Sequence, residues 1–282
     1  MPDDYTIPLK FFKLLQVYAS LATHTRMSLK TDAKLAHKKY RSETGLFIVE
    51  GRKSILELLN SDFEILRIYV TLEESVSIDP ACTLYQTRTG NRPPLVTVVH
   101  RDTLSSLGTL ETSSAGLAVA RMRRATTEEA ILHASLSEFV LILDGIQDPG
   151  NFGTIIRTAD WFGITHIVTS PTTVDAYNPK VIRASMGSFT RVEITELPLE
   201  SLISRAQEQN IPSFGAFLDG KNVYETTFGK NGFIIMGSES HGISDEVASH
   251  THERITIPRY GAAESLNVGV ATALILSELR KH

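Results

Sequence analysis

Short apolar runs alternate with longer amphipathic stretches along the whole chain. In residues 27–124 the apolar runs predict four strands, at 46–50, 64–71, 95–100 and 116–121. The stretches between them predict helices at 30–42, 52–60 and 102–107, of which the first is basic. Strands that alternate with helices indicate a small α/β domain. A polar helical linker is predicted to follow at 125–137.

From residue 138 to residue 282 the alternation becomes more regular. Six strands are predicted, at 139–144, 166–169, 190–194, 213–217, 233–236 and 254–257, and five helices, at 153–162, 179–186, 199–209, 245–249 and 266–280. Buried strands separated by helices favour a mostly parallel sheet with helices on both faces. Ligands bind at the carboxyl ends of such strands, so the loops after Asp144, Met236 and Ile257 are the expected site.

The helix that begins near Asn151 has two unlike faces. At about 100° per residue, Ile155, Ala159 and Phe162 fall on one side of the helix axis. The opposite arc is polar or aromatic and contains neither lysine nor glutamate; it holds Asn151, Thr154, Arg157, Thr158 and Trp161. Such an arc is more typical of a pocket wall than of a solvated surface, which remains the alternative.

The last helix is apolar around its whole circumference between Leu266 and Leu279. A helix of this kind must be covered on all sides, and a terminal helix is hard to cover within one chain. We therefore expect a homodimer that forms through this helix. Ser265 and Asn267 are the polar exceptions at its start, where either side chain is a candidate N-cap.

The composition excludes several classes of protein. With 282 residues, 42% of them hydrophobic, the chain is long enough for a sizeable core and is neither disordered nor fibrous. The single cysteine, Cys82, excludes an internal disulfide and a Cys/His zinc site, and no metal site is expected. No apolar run reaches the roughly 18 residues of a membrane span. We therefore expect no membrane partner and a cytoplasmic location.

Residues 1–26 precede the well-patterned region. They are interpreted as an N-terminal extension with an amphipathic segment at 11–22, and a secretion signal is the alternative. Met27 is a candidate natural start.

Charge is distributed unevenly along the chain. The net charge of −4 combines 17 basic and 15 acidic side chains in residues 1–135 with 11 basic and 17 acidic ones in residues 136–282. Residues 26–53 alone hold eight basic and three acidic side chains. A basic segment suits a polyanion, and a solvated helix face is the alternative. The candidate RNA-binding residues are Lys30, Lys34, Lys38, Lys39 and Arg41.

Standard nucleotide-binding motifs are absent. Gly145, Gly150 and Gly153 follow a strand and open a helix, but their spacing is neither that of a dinucleotide-binding loop nor that of a P-loop.

Three separated segments together resemble the SpoU (TrmH-type) family of RNA 2′-O-ribose methyltransferases, in the SPOUT superfamily. They are NFGTIIRTADWFG from Asn151, IIMGSESHGIS around Glu239, and ITIPRYGAAESLNVGVATALILSEL around Asn267. The resemblance covers about residues 138–282. Residues 35–51 are similar to the small RNA-binding domain that often precedes this catalytic domain. That domain commonly ends in a Thr-Pro-Gln-Gly turn, and this sequence departs from it at residues 113–116.

The resemblance implies a parallel sheet with a C-terminal trefoil knot, S-adenosylmethionine as cofactor, a dimer formed through the last helix, and an RNA substrate. Ribosomal RNA of the large subunit is the first expectation and transfer RNA the second; a non-catalytic RNA-binding protein with the same fold is the alternative. The residues implied in catalysis are Asn151, Arg157, Glu239, Ser265 and Asn267. Those implied in cofactor binding are Met236, Gly237, Ile257, Pro258 and Leu266.

Two roles remain open for Arg157. Arginine has a pKa above about 12 and is a poor general base, yet a desolvated site could make it one. Alternatively, its planar guanidinium clamps the phosphate beside the target ribose, and a phosphate oxygen or water takes the hydroxyl proton. Asn151 or Glu239 is expected to orient Arg157, the nucleotide or the methyl donor.

Overall fold

The computed structural model describes residues 28–108 and 116–281, which form two β-sheets with their covering helices. The predictions for the extension 1–26, for Met27 and for the turn at 113–115 lie outside these residues. Within the described ranges, no helix has the length and apolar character that crossing a membrane requires.

The N-terminal sheet has the strand order β1-β4-β2-β3. Its strands are β1 (Leu46–Glu50), β2 (Ile65–Val70), β3 (Leu95–Val98) and β4 (Leu117–Arg121). β4 runs antiparallel to β1 and β2, whereas β2 and β3 are parallel. The helices are α1 (28–33), α2 (Lys38–Thr44), α3 (Arg52–Leu59), α4 (Leu72–Thr89) and α5 (Arg101–Leu107). The small α/β domain is thus present.

One prediction for this part was wrong, and one helix was missed. The continuous basic helix at 30–42 is interrupted by a 3-10 turn, Lys34–Ala36, and by the extended backbone of His37. Asp32 and Arg41 are both buried. On one straight helix their side chains would point about 180° apart, so the interruption at residues 34–37 allows both to point inward. The 18-residue α4 was not predicted, because Leu72, Val76 and Leu84 are exposed and blur its apolar stripe.

The C-terminal sheet is parallel throughout, in the order β10-β8-β9-β5-β6-β7. Its strands are β5 (Phe139–Asp144), β6 (His166–Thr169), β7 (Glu193–Glu196), β8 (Ser213–Asn222), β9 (Gly232–Gly237) and β10 (Glu253–Thr256). The helices are α6 (Glu128–Ala134), α7 (Pro149–Trp161), α8 (Pro179–Ala184), α9 (Leu199–Glu208), α10 (Asp245–Ser249) and α11 (Val268–Leu279). The strand predicted at 190–194 begins three residues late, because Ser188–Thr190 forms a 3-10 turn.

Helices cover both faces of this sheet, as predicted. Along β5, Leu141 packs on the same side as α7, α8 and α11, whereas Val140 and Ile142 pack on the side of α6, α9 and α10. The segment predicted as a linker contributes to the second of these cores, since Ile131 and Leu132 of α6 are buried in it. It is therefore part of the domain.

The two sheets share one continuous hydrophobic core. Phe47 of β1 packs against Tyr177 and Phe189 of the C-terminal part, with ring centroids 4.6 and 6.1 Å apart. Burial raises the pKa of the Tyr177 phenol, whose oxygen accepts a hydrogen bond from the main-chain N–H of Arg123. The apolar contacts and this part-buried hydrogen bond join the N-terminal domain to the C-terminal sheet.

Candidate active site

The three loops predicted to carry the site leave the same edge of the C-terminal sheet. They follow β5, β9 and β10, and because the sheet is parallel throughout, the carboxyl ends of these strands lie at the same edge, with β8 between β9 and β10. The loops reach α7, the turn at 238–242 and α11, respectively.

The start of α7 fixes the position of Asn151. Asp148 is the N-cap, and its Oδ1 accepts a hydrogen bond of 2.7 Å from the main-chain N–H of Asn151. Pro149 occupies the first helical turn, so α7 begins four residues before the predicted Gly153. A Cβ at Gly153 would lie 2.4 Å from the Cβ of Ala184, which means that glycine allows α7 to contact α8 directly.

Asn151, Glu239 and Asn267 form a closed triangle of side-chain hydrogen bonds. Asn151 Nδ2 donates to Glu239 Oε1 at 2.7 Å. Asn267 Nδ2 donates to Asn151 Oδ1 at 2.9 Å and to Glu239 Oε1 at 3.0 Å. The triangle links the three loops, and three residues that the sequence predicts for the site are brought together in it.

Asn267 also caps α11. Its Oδ1 accepts hydrogen bonds from the main-chain N–H groups of Gly269 and Val270, at 3.0 and 3.3 Å. The capping role considered for Asn267 is confirmed, and the same role for Ser265 is not observed. One carboxamide therefore both begins the last helix and holds the site together.

Glu239 lies in a tight turn after β9. Ser238 and Gly242 exchange two main-chain hydrogen bonds of 3.0 and 2.9 Å. A Cβ at Gly237 would lie 2.0 Å from the carbonyl carbon of Gly242, so only glycine permits the chain to return this closely. Asp144 Oδ2 accepts a hydrogen bond from the N–H of Ser244, which ties the turn to the end of β5.

Arg157 lies apart from the triangle. It follows Asn151 by six residues, about 9 Å along the helix axis, and its side chain is exposed. In residues 28–108 and 116–281 it has no hydrogen-bond or ion-pair partner, so neither Asn151 nor Glu239 orients it. Thr154 and Trp161 are exposed on the same arc of α7, as the helical periodicity predicted.

The loop from Pro258 to Leu266 offers main-chain groups. Within the described parts of the chain, none of its nine residues forms a hydrogen bond between two main-chain groups, and the Ala263 carbonyl accepts one of 3.5 Å from the Arg259 side chain. Ser265 and Leu266 are exposed. Free N–H and C=O groups suit the edge of an adenine base. Ile257 is half-buried beside them. Met236 differs, because its side chain is buried in the core, which leaves only its main chain for contact with a ligand.

The lysines predicted to bind RNA are exposed, but Arg41 is not. Lys30, Lys34, Lys38 and Lys39 are all accessible. Arg41 is 2% exposed and donates hydrogen bonds to the carbonyls of Leu35 and Ala36 and to the carboxylate of Asp175. Its assignment to RNA binding was wrong, because its guanidinium is already occupied inside the protein.

Comparison with known proteins matches both parts of the chain to known families. The model of the SpoU rRNA Methylase family matches residues 138–277, and that of the MRM3-like substrate binding domain matches residues 27–118. The 23S rRNA (guanosine(2553)-2′-O)-methyltransferase RlmP of Bacillus subtilis (strain 168) is 32% identical over 248 residues, covering 88% of this chain and 93% of that protein.

Two solved structures are similar over nearly the whole chain. A TrmH-family protein from Porphyromonas gingivalis has 33% identity and a TM-score of 0.77, and the match covers 90% of this chain and 96% of that one. An AdoMet-bound rRNA methyltransferase from Sinorhizobium meliloti has 27% identity and a TM-score of 0.80, covering 92% and 95%.

The two roles of Asn267 can be separated by substitution. Asn267→Ser keeps a side-chain oxygen that caps a helix but loses the amide that donates within the triangle, whereas Asn267→Ala loses both. We expect Asn267→Ala to lower the free energy of unfolding by about 1 kcal/mol more than Asn267→Ser, as measured by urea denaturation. Ser277→Ala, at an exposed position of the same helix, is the control and should change it by less than about 0.5 kcal/mol. Equal losses for the two Asn267 variants would show that the cap contributes nothing.

Proposed function

The chain belongs to the SpoU rRNA methylase family, and we propose that it transfers a methyl group from S-adenosylmethionine to a ribose 2′-hydroxyl of large-subunit ribosomal RNA. The methyl donor is supported by the AdoMet-bound similar structure from Sinorhizobium meliloti. The substrate is supported by the similar Bacillus subtilis protein, which is named as a 23S rRNA 2′-O-methyltransferase.

The observation that carries this proposal is the triangle of Asn151, Glu239 and Asn267 at the carboxyl edge of the sheet. It places polar groups from three loops around one point, and within the described residues the third of these loops has main-chain groups that pair with no other main-chain group. Arg157 adds an exposed cation with no partner in the described residues. The carboxyl edge thus offers hydrogen-bonding groups for a nucleoside, and Arg157, about 9 Å further along α7, offers a positive charge for a phosphate.

The residues around the edge fit the cofactor. When bound, S-adenosylmethionine supplies a methyl group that is already activated on a sulfonium. We assign its adenosine to the main chain of Met236 and Gly237 and to Ile257, Pro258 and Leu266, because the loop that begins at Pro258 has free donors and acceptors.

The protein's own side chains act on the RNA. Arg157 is exposed to water, where a guanidinium is a cation that binds a phosphate by two parallel hydrogen bonds. Its exposure supports the role of Arg157 as a phosphate clamp rather than as a general base. Glu239 Oε2 makes no hydrogen bond within the described residues and accepts one from the nucleotide, while Ser265 orders the ribose. The hydroxyl proton passes to a phosphate oxygen of the RNA or to water.

We also infer that the protein is a homodimer formed through α11. One side of this helix is buried against α7 and β9. The other side is apolar but open: Val270 is 50% exposed, and Ala273 and Leu274 are half-buried. Trp161 of the neighbouring α7 is 85% exposed. A second copy would cover this apolar area.

A trefoil knot is inferred for the C-terminal segments. β10 lies at the edge of the sheet beside β8, whereas α11, which follows it, packs against α7 and β9. The contact of Asn267 with Glu239 supports a path of the chain along the carboxyl edge past the turn at 238–242.

The knot can be tested by stretching. Pulling on both termini in an optical trap should give an unfolded contour length shorter than that of 282 free residues, because the knot tightens and retains chain. A full contour length would exclude it.

The dimer can be tested at Leu274. We expect the wild-type protein to sediment with twice the 31.1 kDa chain mass, and Leu274→Glu to sediment as a monomer, because a charge cannot be buried in an apolar interface without a partner. Gln209→Glu adds the same charge at the exposed residue that follows α9 and should remain dimeric. A monomeric wild-type protein at micromolar concentration would contradict the inference.

The reaction is tested on unmodified large-subunit rRNA transcribed in vitro. We expect labelled methyl groups from S-adenosylmethionine at ribose 2′-oxygens, detected by mapping sites that resist alkaline cleavage. An RNA with 2′-deoxyribose at the mapped position should be inert, because it lacks the acceptor oxygen. Methylation of that RNA would indicate base chemistry, labelling of transfer RNA alone would exclude the proposed substrate, and absence of any labelling would favour a non-catalytic RNA-binding protein.

Arg157→Ala tests the assigned clamp in the same assay. Turnover should fall by roughly 100-fold or more, since the phosphate is no longer positioned, while S-adenosylmethionine affinity measured by calorimetry stays unchanged. Arg92→Ala, which removes an exposed arginine of the N-terminal domain, is the matched control and should keep kcat. Near-normal turnover of Arg157→Ala would remove Arg157 from the mechanism.

A further inference from the structure

Arg41 connects the lysine-bearing segment to the C-terminal domain. It lies in α2, close behind Lys38 and Lys39, but its side chain points inward and is 2% exposed. Nη1 donates to the carbonyl oxygens of Leu35 and Ala36, at 2.8 and 2.9 Å. Nε and Nη2 donate to Asp175 Oδ2, at 2.9 and 2.5 Å. One guanidinium therefore holds the 3-10 turn and a residue 134 positions away.

Asp175 is itself fixed at the edge that carries the proposed active site. It belongs to the loop after β6, the strand next to β5, and so lies beyond the carboxyl end of the sheet. Its Oδ1 accepts a hydrogen bond of 2.9 Å from the N–H of Tyr177, and its side chain is 13% exposed. Asn151 follows β5 at the same edge. The Arg41–Asp175 ion pair thus joins the segment that carries Lys34 and Lys38 to the edge of the sheet that carries the proposed active site.

Other contacts across the same interface leave little freedom between the two domains. Arg191 donates to Glu57 of α3 at 2.6 Å and to Asp160 of α7 at 2.8 Å, and both carboxylates raise its pKa. Phe47 packs against Tyr177 beside the Arg41 ion pair. The Arg41–Asp175 pair differs from these contacts because Arg41 also binds two carbonyls of the turn that carries Lys34.

The lysines around this turn are suited to RNA phosphates. Lys30, Lys34 and Lys38 are exposed and have no ion-pair partner within the described ranges, whereas Lys39 lies 4.0 Å from Glu43. Lys34 lies on the 3-10 turn whose carbonyls Arg41 binds, and Lys38 begins the next helix. Arg41 therefore helps to hold the backbone that carries both lysines, and the Lys34 ammonium also lies 5.3 Å from the centroid of the Tyr40 ring.

We propose that Arg41 and Asp175 are positioning residues for RNA. Their ion pair fixes the surface formed by Lys30, Lys34 and Lys38 at a set distance from the methyl-transfer site, so that one RNA molecule contacts this surface and the site at the same time. This inference rests on the proposed function. Two linked binding surfaces strengthen each other only while their separation is fixed or suitably limited, because the second contact then forms at a high effective concentration. Neither residue contacts the RNA.

A double-mutant comparison tests the proposal. Asp175→Asn removes the charge but keeps an oxygen for the N–H of Tyr177. Lys34→Gln with Lys38→Gln neutralises two of the exposed lysines, the ones nearest to the turn. Binding of unmodified large-subunit rRNA is measured for all four combinations as a function of salt. In the wild-type background we expect the lysine substitutions to weaken binding about tenfold and to lower the salt slope by about 1 to 2.

In the Asp175→Asn background the same lysine substitutions should weaken binding by less than about threefold. Asp175→Asn alone should raise KM for RNA with little change in kcat or in affinity for S-adenosylmethionine. A lysine effect that is equally large in both backgrounds would overturn the proposal, since the lysines would then act independently of the ion pair.

A matched control separates positioning from stability. Glu128→Gln removes the charge from an ion pair with Arg205 inside the C-terminal domain, 2.7 Å long and away from the interface. It should leave the lysine effect unchanged. If Asp175→Asn does not fold, Arg41→Lys keeps the charge but not the planar fork, and should reduce the lysine effect in the same way. An undiminished effect there also overturns the proposal.

The comparison distinguishes the two hypotheses. The measured quantity is the affinity for rRNA, which does not require methyl transfer. A wild-type protein that binds rRNA without methylating it would therefore refute the proposed reaction, and the effect of the ion pair on binding by the lysines could still be measured. Independent lysine effects in an active enzyme refute only the positioning role.

Discussion

The carboxamide of Asn267 is the group on which the candidate site depends. Its oxygen accepts the first N–H groups of α11, and its nitrogen donates to Asn151 and Glu239. A side-chain amide has both a donor and an acceptor end, so it can cap a helix and bind two neighbours at once. Serine or aspartate would satisfy the cap but lacks the amide donor, which explains why the chemistry of asparagine suits this position.

The last helix then supports α7 at both ends. Asn267, at the start of α11, binds Asn151 in the first turn of α7, and Arg280, just after α11, donates to the carbonyls of Phe162 and Gly163 where α7 ends. Carbonyls at a helix C-terminus lack intrahelical partners and favour a cation, so Arg280 satisfies them. The helix that carries Arg157 is thus held in place by α11 and the two residues that flank it, Asn267 and Arg280.

Charge has two different uses in this protein. Lys30, Lys34 and Lys38 remain in water, where they can meet phosphates, whereas Arg41 is buried among carbonyls and a carboxylate. Counting charges along residues 26–53 treats them alike. The charge count of this segment therefore indicated its basic character correctly. It could not show which of its cations contacts the C-terminal domain, because burial depends on the neighbours that the fold supplies.

The sequence by itself determined the alternation of strands and helices, the parallel sheet and the three loops of the site, because apolar periodicity and local motifs act over a few residues. It also indicated Asn151, Glu239 and Asn267 as members of one site, through resemblance. Tertiary structure alone decided that Asn267 binds both others, that Arg157 stays free of them, that the basic segment breaks at His37 and that Arg41 faces inward. These outcomes depend on contacts between residues up to 134 positions apart, and such contacts leave no periodic signal in the chain.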